Sequence, residues 1–483
     1  MTANVGTINP ARTVSFGHVP AWAWMGIWVY TIVLINGSLL LGDSDTYWQI
    51  ATGKWILDHG AMPRVDIYSF TKPGEPWIST SWLAQVLFAI SYQIAGWAGP
   101  IILAAMTFAA TLALFTSILS RRIRPAYAVM VAFAVLFLSM GHVLARPHVL
   151  AAPVMLAWVS GLASASDRRE APSFWLLPLI TLWANLHGGF VLGIALVAPF
   201  ALDALWNANR SQWVPLTLRW MAFGTAALVA TCVTPYGWES ILASRKILEL
   251  GELLKTIFEW MPVNFSAFSA FEGWILLSIA GALYCGVRLS PPRIILVLGL
   301  LHMALCHVRN IEVFTLLTPL VVLTPLATQF ALQPPRGSRT SISFAAAAVL
   351  IAVLGVSTWA TAAQNNYAPT PTQSPVAAVD VLKQRNARRI LNDLPFSGYL
   401  IARGVPVFVD GRAELYGEAF VMKYFHALQL KDVNLLLGLL KDYDIDAVML
   451  TPTTPAVTFL DHLDGWQRVY ADEYAVVHVR KIN

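Results

Sequence analysis

Eleven apolar runs punctuate the first three quarters of the chain, near residues 21–41, 98–119, 126–141, 148–166, 173–186, 188–206, 216–235, 270–287, 292–306, 309–330 and 342–362, with short polar turns between most of them. A helix needs about 20 predominantly apolar residues to cross the hydrocarbon layer, so the pattern predicts a mainly α, polytopic membrane domain of about 11 transmembrane helices over residues 1–362. The run 82–94 is shorter, and about 10–14 apolar residues suit an interfacial or core helix better than a span. Beyond residue 362 the pattern changes. After the proline-bearing stretch AAQNNYAPTPTQSP, β-like runs (389–392, 405–410, 447–451, 466–470 and 475–480) alternate with helical ones (376–384, 418–428 and 433–443). This alternation predicts a small α/β domain over 363–483. No glycine-rich phosphate loop follows any of these strands, which argues against a nucleotide site there.

Composition agrees with this division. Of 483 residues, 57% are hydrophobic and 12% charged, against roughly 25% charged in soluble proteins. The last quarter, residues 363–483, holds 25 of the 59 charged side chains. The net charge of +5 comes from basic residues scattered between apolar runs, with no basic helix or aromatic RNA-type motif, so it is a topology signal rather than a nucleic-acid signature. Cytoplasmic loops are enriched in Lys and Arg. Placing Arg121, Arg122 and Arg124, Arg168 and Arg169, Arg210 and Arg219, Arg288 and Arg293, and Arg336 and Arg339 inside puts the N-terminus in the cytoplasm. The loop 42–97, the amphipathic stretch 236–268 and the C-terminal domain then lie outside. Residues 1–20 lack the apolar core of a cleavable signal, so the first run is expected to stay as a span. Cys232, Cys285 and Cys306 all sit in apolar runs, which disfavours a disulfide framework or a thiolate metal site.

On this topology the ionisable residues of the membrane domain gather at the outer ends of the spans: Asp43, Asp45, His142, Arg146, His148, His187, Glu272, His307, Arg309 and Glu312. Ionisable groups near membrane depth usually mark function. The stretch GDSDTYWQIATGKWILDHG, residues 42–60, sets two aspartates between the first span and a tryptophan-bearing helix. A carboxylate at the centre of a spanning helix costs about 2.5–3.5 kcal/mol, so Asp43 and Asp45 belong just outside the hydrocarbon. Asp45 could also serve as N-cap of a helix beginning at Thr46. His187, in LWANLHGGF, could be a hydrogen-bonded residue at a helix turn, and Arg146 and Arg309 could contact headgroups. Trp48, Trp55, Trp77, Trp82 and Trp97 suit interfacial anchors. His302, His307 and Arg309 match metal-ligand spacing only loosely.

A first span, an acidic motif opening a large outer loop, surface helices and a second span together resemble the GT-C superfamily of integral-membrane glycosyltransferases, which use polyprenyl-phosphate-linked sugars. SDTYWQIATGKWILDHG is similar to the first-loop motif of oligosaccharyltransferase catalytic subunits, and Asp45 matches their catalytic aspartate. The pattern DSDTYWQIATGKWI, PRVDIYSFT, PWISTSWLAQV, ARPHV, WANLHGGF, TPYGWE, HVRNIEVF and FVDGRAELYG resembles a group of largely uncharacterised bacterial multi-pass proteins along nearly the whole chain. The WWDYG-type acceptor motif is missing, and Asp-Ser-Asp stands in place of the Asp-Glu pair of protein mannosyltransferases and aminoarabinose transferases.

The resemblance implies an inner-membrane enzyme that passes a sugar from a polyprenyl phosphate to an envelope glycan, lipid or protein on the outer face. Asp45 would be the general base, with Asp43 assisting by charge or by holding a divalent ion such as Mg or Mn. Arg146 or Arg309 would stabilise the departing phosphate, and Trp48, His148, His187 and His307 would contact substrate. The rival readings are a non-catalytic envelope assembly protein and a transporter.

Overall fold

The computed structural model describes residues 19–248, 250–332, 344–365 and 367–481. Residues 1–18, and the loop that carries Arg336 and Arg339, lie outside the described residues, and with them those parts of the signal-peptide and topology expectations.

The membrane domain runs through α1 (Ala21–Ile35), α2 (Ser44–His59), α3 (Trp82–Ala95), α4 (Ala98–Ser120), α5 (Pro125–Ser139), α6 (Pro147–Asp167), α7 (Leu177–Leu186), α8 (Phe190–Ala195), α9 (Val197–Asn207), α10 (Trp213–Thr231), α11 (Glu239–Leu248), α12 (Ala270–Tyr284), α13 (Pro291–Cys306), α14 (Ile311–Gln329) and α15 (Phe344–Gln364). Every expected span falls on one of these helices, α8 and α9 together forming the one near 188–206. Among the described residues, seven helical segments are long and apolar enough to cross a membrane. The expected spans on α1, α7, α12 and α13 fall on shorter apolar helices, and α3 is shorter too. The chain is a polytopic, mainly α-helical membrane protein.

The helices that bury most sit centrally. Phe108, Leu112 and Phe115 of α4 pack with Trp158 and Leu162 of α6 in one apolar cluster, and the Trp158 indole donates to Gly193 O at 2.9 Å. At the periphery α15 leaves Trp359 and Ile351 exposed, as expected where lipid tails are as apolar as the side chains they meet. One polar knot lies inside the bundle. Arg293, at the start of α13, pairs with Asp167 of α6 and with Asp203 of α9 at 2.8 Å. It also donates to Val321 O at 2.8 Å, and Ser166 and Ser290 donate to Asp203. Arg293, counted in the sequence with the loop arginines, is therefore a buried structural ion.

The C-terminal domain contains α16 (Val376–Gln384), β1 (Ile390–Asn392), α17 (Ser397–Ala402), α18 (Ala413–Tyr416), α19 (Glu418–Leu428), α20 (Val433–Asp442), β2 (Ala447–Leu450), α21 (Pro455–Asp461), β3 (Trp466–Ala471) and β4 (Val476–Arg480). Its sheet has the order β1-β2-β4-β3, with β1 parallel to β2 and the other pairs antiparallel. The expected strand 405–410 is not a regular strand. Val407 instead bridges β1 at Ile390 and the first outer loop at Ser69. Its N–H donates to Tyr68 O, and its carbonyl accepts from Phe70 N–H, both at 3.2 Å.

The outer loop thus continues the edge of the sheet, and the two parts share a core. Tyr47, Trp48 and Trp77 from the first outer loop and Leu250 from the second are buried with Tyr399, Val407 and Phe408 of the domain. Trp48 and Trp77, expected as headgroup anchors, are instead packing residues, because their rings are buried in this core.

Candidate active site

The chain turns helical at Ser44, one step before the acidic residue proposed as the cap. Asp43 is the N-cap of α2, and its Oδ1 accepts the Asp45 N–H at 2.7 Å. The expected assignment of Asp45 as N-cap is therefore corrected by two residues: Asp43 satisfies the orphan donor, and the Asp45 side chain is free to face the site. The Trp48 indole, one turn along, donates to Asp45 Oδ1 at 2.9 Å.

Three segments far apart in sequence bring charge to this helix start. Arg146 caps α6 in extended geometry (φ −128°, ψ 159°), as the following Pro147 requires, and Ala145 N–H ties that turn to Leu40 O at 2.9 Å. Its guanidinium pairs with Asp45, with Asp43 at 3.4 Å, and with Glu259. Glu259 lies on the helical turn Phe258–Trp260 in the second outer loop. That loop is stapled to the α13–α14 turn by Val308 N–H to Met261 O at 3.0 Å and by the His307 Nδ1 contact with Trp260 O at 2.7 Å. Arg309 lies with its guanidinium carbon 4.5 Å from the centroid of the Trp260 ring and, among the described residues, forms no ion pair.

Two guanidiniums therefore face three carboxylates, all partly open to solvent. Burial pushes the Asp45 carboxyl up. Arg146 opposes that, the charges of Asp43 and Glu259 add to it, and the result is a group raised to about 7. Burial also works on Glu259, but there Arg146 and Arg309 prevail and hold it below the usual carboxylate range. For Arg146, burial would lower the guanidinium, yet the carboxylates of Asp43, Asp45 and Glu259 outweigh it and keep it firmly protonated.

Histidines line the neighbouring side. His148 and His187 lie with ring centroids 6.4 Å apart, and His148 Nε2 contacts His142 O at 2.9 Å. Gly189 N–H donates to His187 Nδ1 at 3.1 Å. Burial, with Arg309, His148 and Arg146 beyond it, holds His187 well below the usual imidazole range. With Nδ1 accepting from Gly189, the neutral form of the ring carries its proton on Nε2.

Trp48, at the site itself, is buried and gives its indole N–H to Asp45. The remaining sequence candidates fall elsewhere. His302 contacts Cys306, at 3.5 Å. Among the described residues, Glu272 and Glu312 each leave one buried carboxylate oxygen without a hydrogen-bond partner. As a metal cage the aspartate pair fits poorly: the four oxygens of Asp43 and Asp45 are taken by Arg146, by Trp48 and by the helix-capping N–H. No group of three metal-ligating side chains occurs among the described residues. Glu259 was not legible in the sequence, where FEW was only part of an amphipathic stretch.

No family model matches the sequence, and no curated protein matches it. Solved structures do. Archaeal oligosaccharyltransferase AglB from Archaeoglobus fulgidus, in complex with an inhibitory peptide and a dolichol-phosphate, superposes with a TM-score of 0.55 at 12% identity, over 89% of this chain and 69% of its own. ArnT from Cupriavidus metallidurans bound to undecaprenyl phosphate gives 0.52 at 14% identity, over 95% of this chain and 97% of its own. Its apo state gives 0.51. The chain shares its fold with AglB and ArnT. It matches ArnT over nearly the full length of both chains.

Proposed function

We propose that this protein is an inverting glycosyltransferase that takes a sugar from a polyprenyl-phosphate-linked donor and gives it to an envelope acceptor at the outer face of the bacterial inner membrane. The observation that carries the proposal is Asp45: a carboxylate raised to about 7, at the start of a surface helix, within a fold shared with proteins solved with polyprenyl phosphates. A general base works best when its pKa lies near the operating pH. The acceptor hydroxyl attacks the anomeric carbon, its proton passes to Asp45, and the bond from that carbon to the phosphate oxygen breaks.

The departing polyprenyl phosphate gains charge and needs a preorganised cation. Arg146 is already engaged by three carboxylates and holds the base in place. Arg309, with no ion pair among the described residues, and the Nε2–H of His187 are better disposed to receive the phosphate, with His148 and His307 shaping that side. A divalent ion would have to displace the Arg146 guanidinium, and no step above requires one. For the prenyl tail, α12 offers a largely uncovered apolar surface, with Phe271 its buried residue.

The test is release of free polyprenyl phosphate from a lipid-linked sugar by the purified protein and by Asp45→Asn. Dependence on Asp45 is expected of the enzyme, whereas no release by the wild type would favour an assembly protein or a transporter. For the orientation, a reporter that folds only in the cytoplasm, fused after Asn483, is expected to be inactive.

A further inference from the structure

The motif FVDGRAELYG, far along the C-terminal domain, returns to the start of α2. Gly411 lies against the Asp45 side chain so closely that a Cβ built on it would fall 2.2 Å from Asp45 Oδ1 and 3.4 Å from Trp48 Nε1. No real Cβ tolerates the first of these distances, so the site accepts only glycine at 411 while Asp45 keeps its conformation. A second contact runs in parallel. Gly398 N–H donates to Ser44 Oγ at 2.9 Å, and a Cβ at 398 would lie 1.8 Å from Ser44 O.

The loop around Gly411 is held by its neighbours. Arg412 is fully buried and pairs with Asp66 of the first outer loop and with Asp410, both at 2.7 Å, and Tyr416 donates to Asp410 Oδ2 at 2.8 Å. The guanidinium carbon lies 5.1 Å from the Tyr68 ring centroid and 4.8 Å from that of Trp77, and the Trp77 indole donates to Glu414 at 3.2 Å. Asp66 is fixed in turn by Tyr68 N–H and by the backbone and hydroxyl of Ser69. Removing one partner from such a buried charge network leaves the others uncompensated, which makes the loop a rigid wall rather than a mobile flap.

We infer that the Asp410–Gly411–Arg412 loop is a positioning element for Asp45: the C-terminal domain presses a side-chain-free backbone against the carboxylate and thereby fixes which oxygen meets Trp48 and which meets Arg146. The inference rests on the reading of Asp45 as the base. The domain is then a wall of the reaction chamber and not an appendage to it. Gly411 acts through Asp45 and touches no substrate in this scheme.

The experiment compares wild type, Gly411→Ala, Asp45→Ala and the double variant as purified full-length protein, with three readouts. The first is a double-mutant cycle in thermal midpoint. Asp45→Ala removes the atom that the new methyl would strike, so it should return to Gly411→Ala most of the stability lost, and additive losses would show that the two residues do not touch. The second is turnover. Gly411→Ala should lose about 100-fold in kcat, the scale of an ångström-sized misplacement, while KM for the lipid-linked donor stays within about twofold of wild type.

The third readout needs no turnover: carbodiimide labelling of Asp45, read by mass spectrometry across pH. Displacing the carboxylate from Trp48 and Arg146 removes two groups that favour its charged form, so the labelling midpoint of Gly411→Ala should rise. An unchanged midpoint overturns the positioning role, as does unchanged kcat in the folded variant. If wild type has no transferase activity while the cycle couples and the midpoint moves, the proposed function fails and the positioning of Asp45 stands.

Discussion

Two clusters in this protein place an arginine between carboxylates, and they do opposite things with it. Between α6, α9 and α13 Arg293 is matched by Asp167 and Asp203, and its guanidinium and the Asp203 carboxylate are almost sealed from solvent (4% and 2% exposed). Hydroxyls and a backbone carbonyl take up the remaining hydrogen bonds. At the start of α2 Arg146 serves three carboxylates at once, each 20–27% exposed, while Arg309 stacks on Trp260 and, among the described residues, forms no ion pair. A closed, satisfied knot holds helices together and has nothing left with which to bind. An over-subscribed, half-open one raises its carboxylate to about 7 beside a second guanidinium, which suits the proton transfer and leaving phosphate of the proposed function.

The largest expected effect separates the two clusters by kind. Asp45→Asn should lower turnover by about 10²–10⁴-fold, the usual contribution of a positioned base, with melting behaviour close to wild type because Asp43, not Asp45, caps α2. Arg293→Ala should do the reverse. Breaking a buried pair costs about 3–5 kcal/mol, visible as a lowered thermal midpoint, while kcat per folded molecule stays near wild type. Loss of turnover without loss of stability in Arg293→Ala would erase the distinction.

Smaller effects sharpen the electrostatics of the Arg146 cluster. A base must be deprotonated to act, so kcat/KM should rise with pH and level off above an apparent pKa near 7, the value to which Asp45 is raised. Arg146 lowers that value, so Arg146→Ala should move the acid limb to higher pH, with Arg146→Lys in between because it keeps the charge and loses the fork. Asp43 raises the value, so Asp43→Asn, which still caps the helix, should move the limb slightly to lower pH. Shifts of the same sign in Arg146→Ala and Asp43→Asn would mean that Asp45 is not the titrating group.

What was legible in the sequence follows the range of the interactions involved. Apolar runs and their turns are local, so the helices of the membrane domain and most elements of the C-terminal domain, α16 and β2 among them, fall where the pattern puts them. Asp45 and Arg146 were legible because each stands in a short motif at a helix start. Glu259 was not, because its importance comes only from the fold of the second outer loop back onto Arg146. The segment 405–410 has the composition of a strand, but its pairings are isolated bridges from Val407 to Ile390 and to Ser69, which no local period reveals. The cap lies two residues before its expected place because Asp-Ser-Asp offers two competent aspartate caps, and only the backbone chooses between them.

The bond between Arg412 and Asp66 joins residues 346 positions apart, and it has a consequence in time. Synthesis proceeds from the N-terminus, and domains generally fold as units as they emerge, so the acidic motif, the outer loops and the histidines are all made before the loop that closes on Asp45. A growing or truncated chain would hold its base, its cations and its tail-binding surface with one wall missing. On the proposed function, sugar transfer would then begin only when the last quarter of the polypeptide has folded back onto the first.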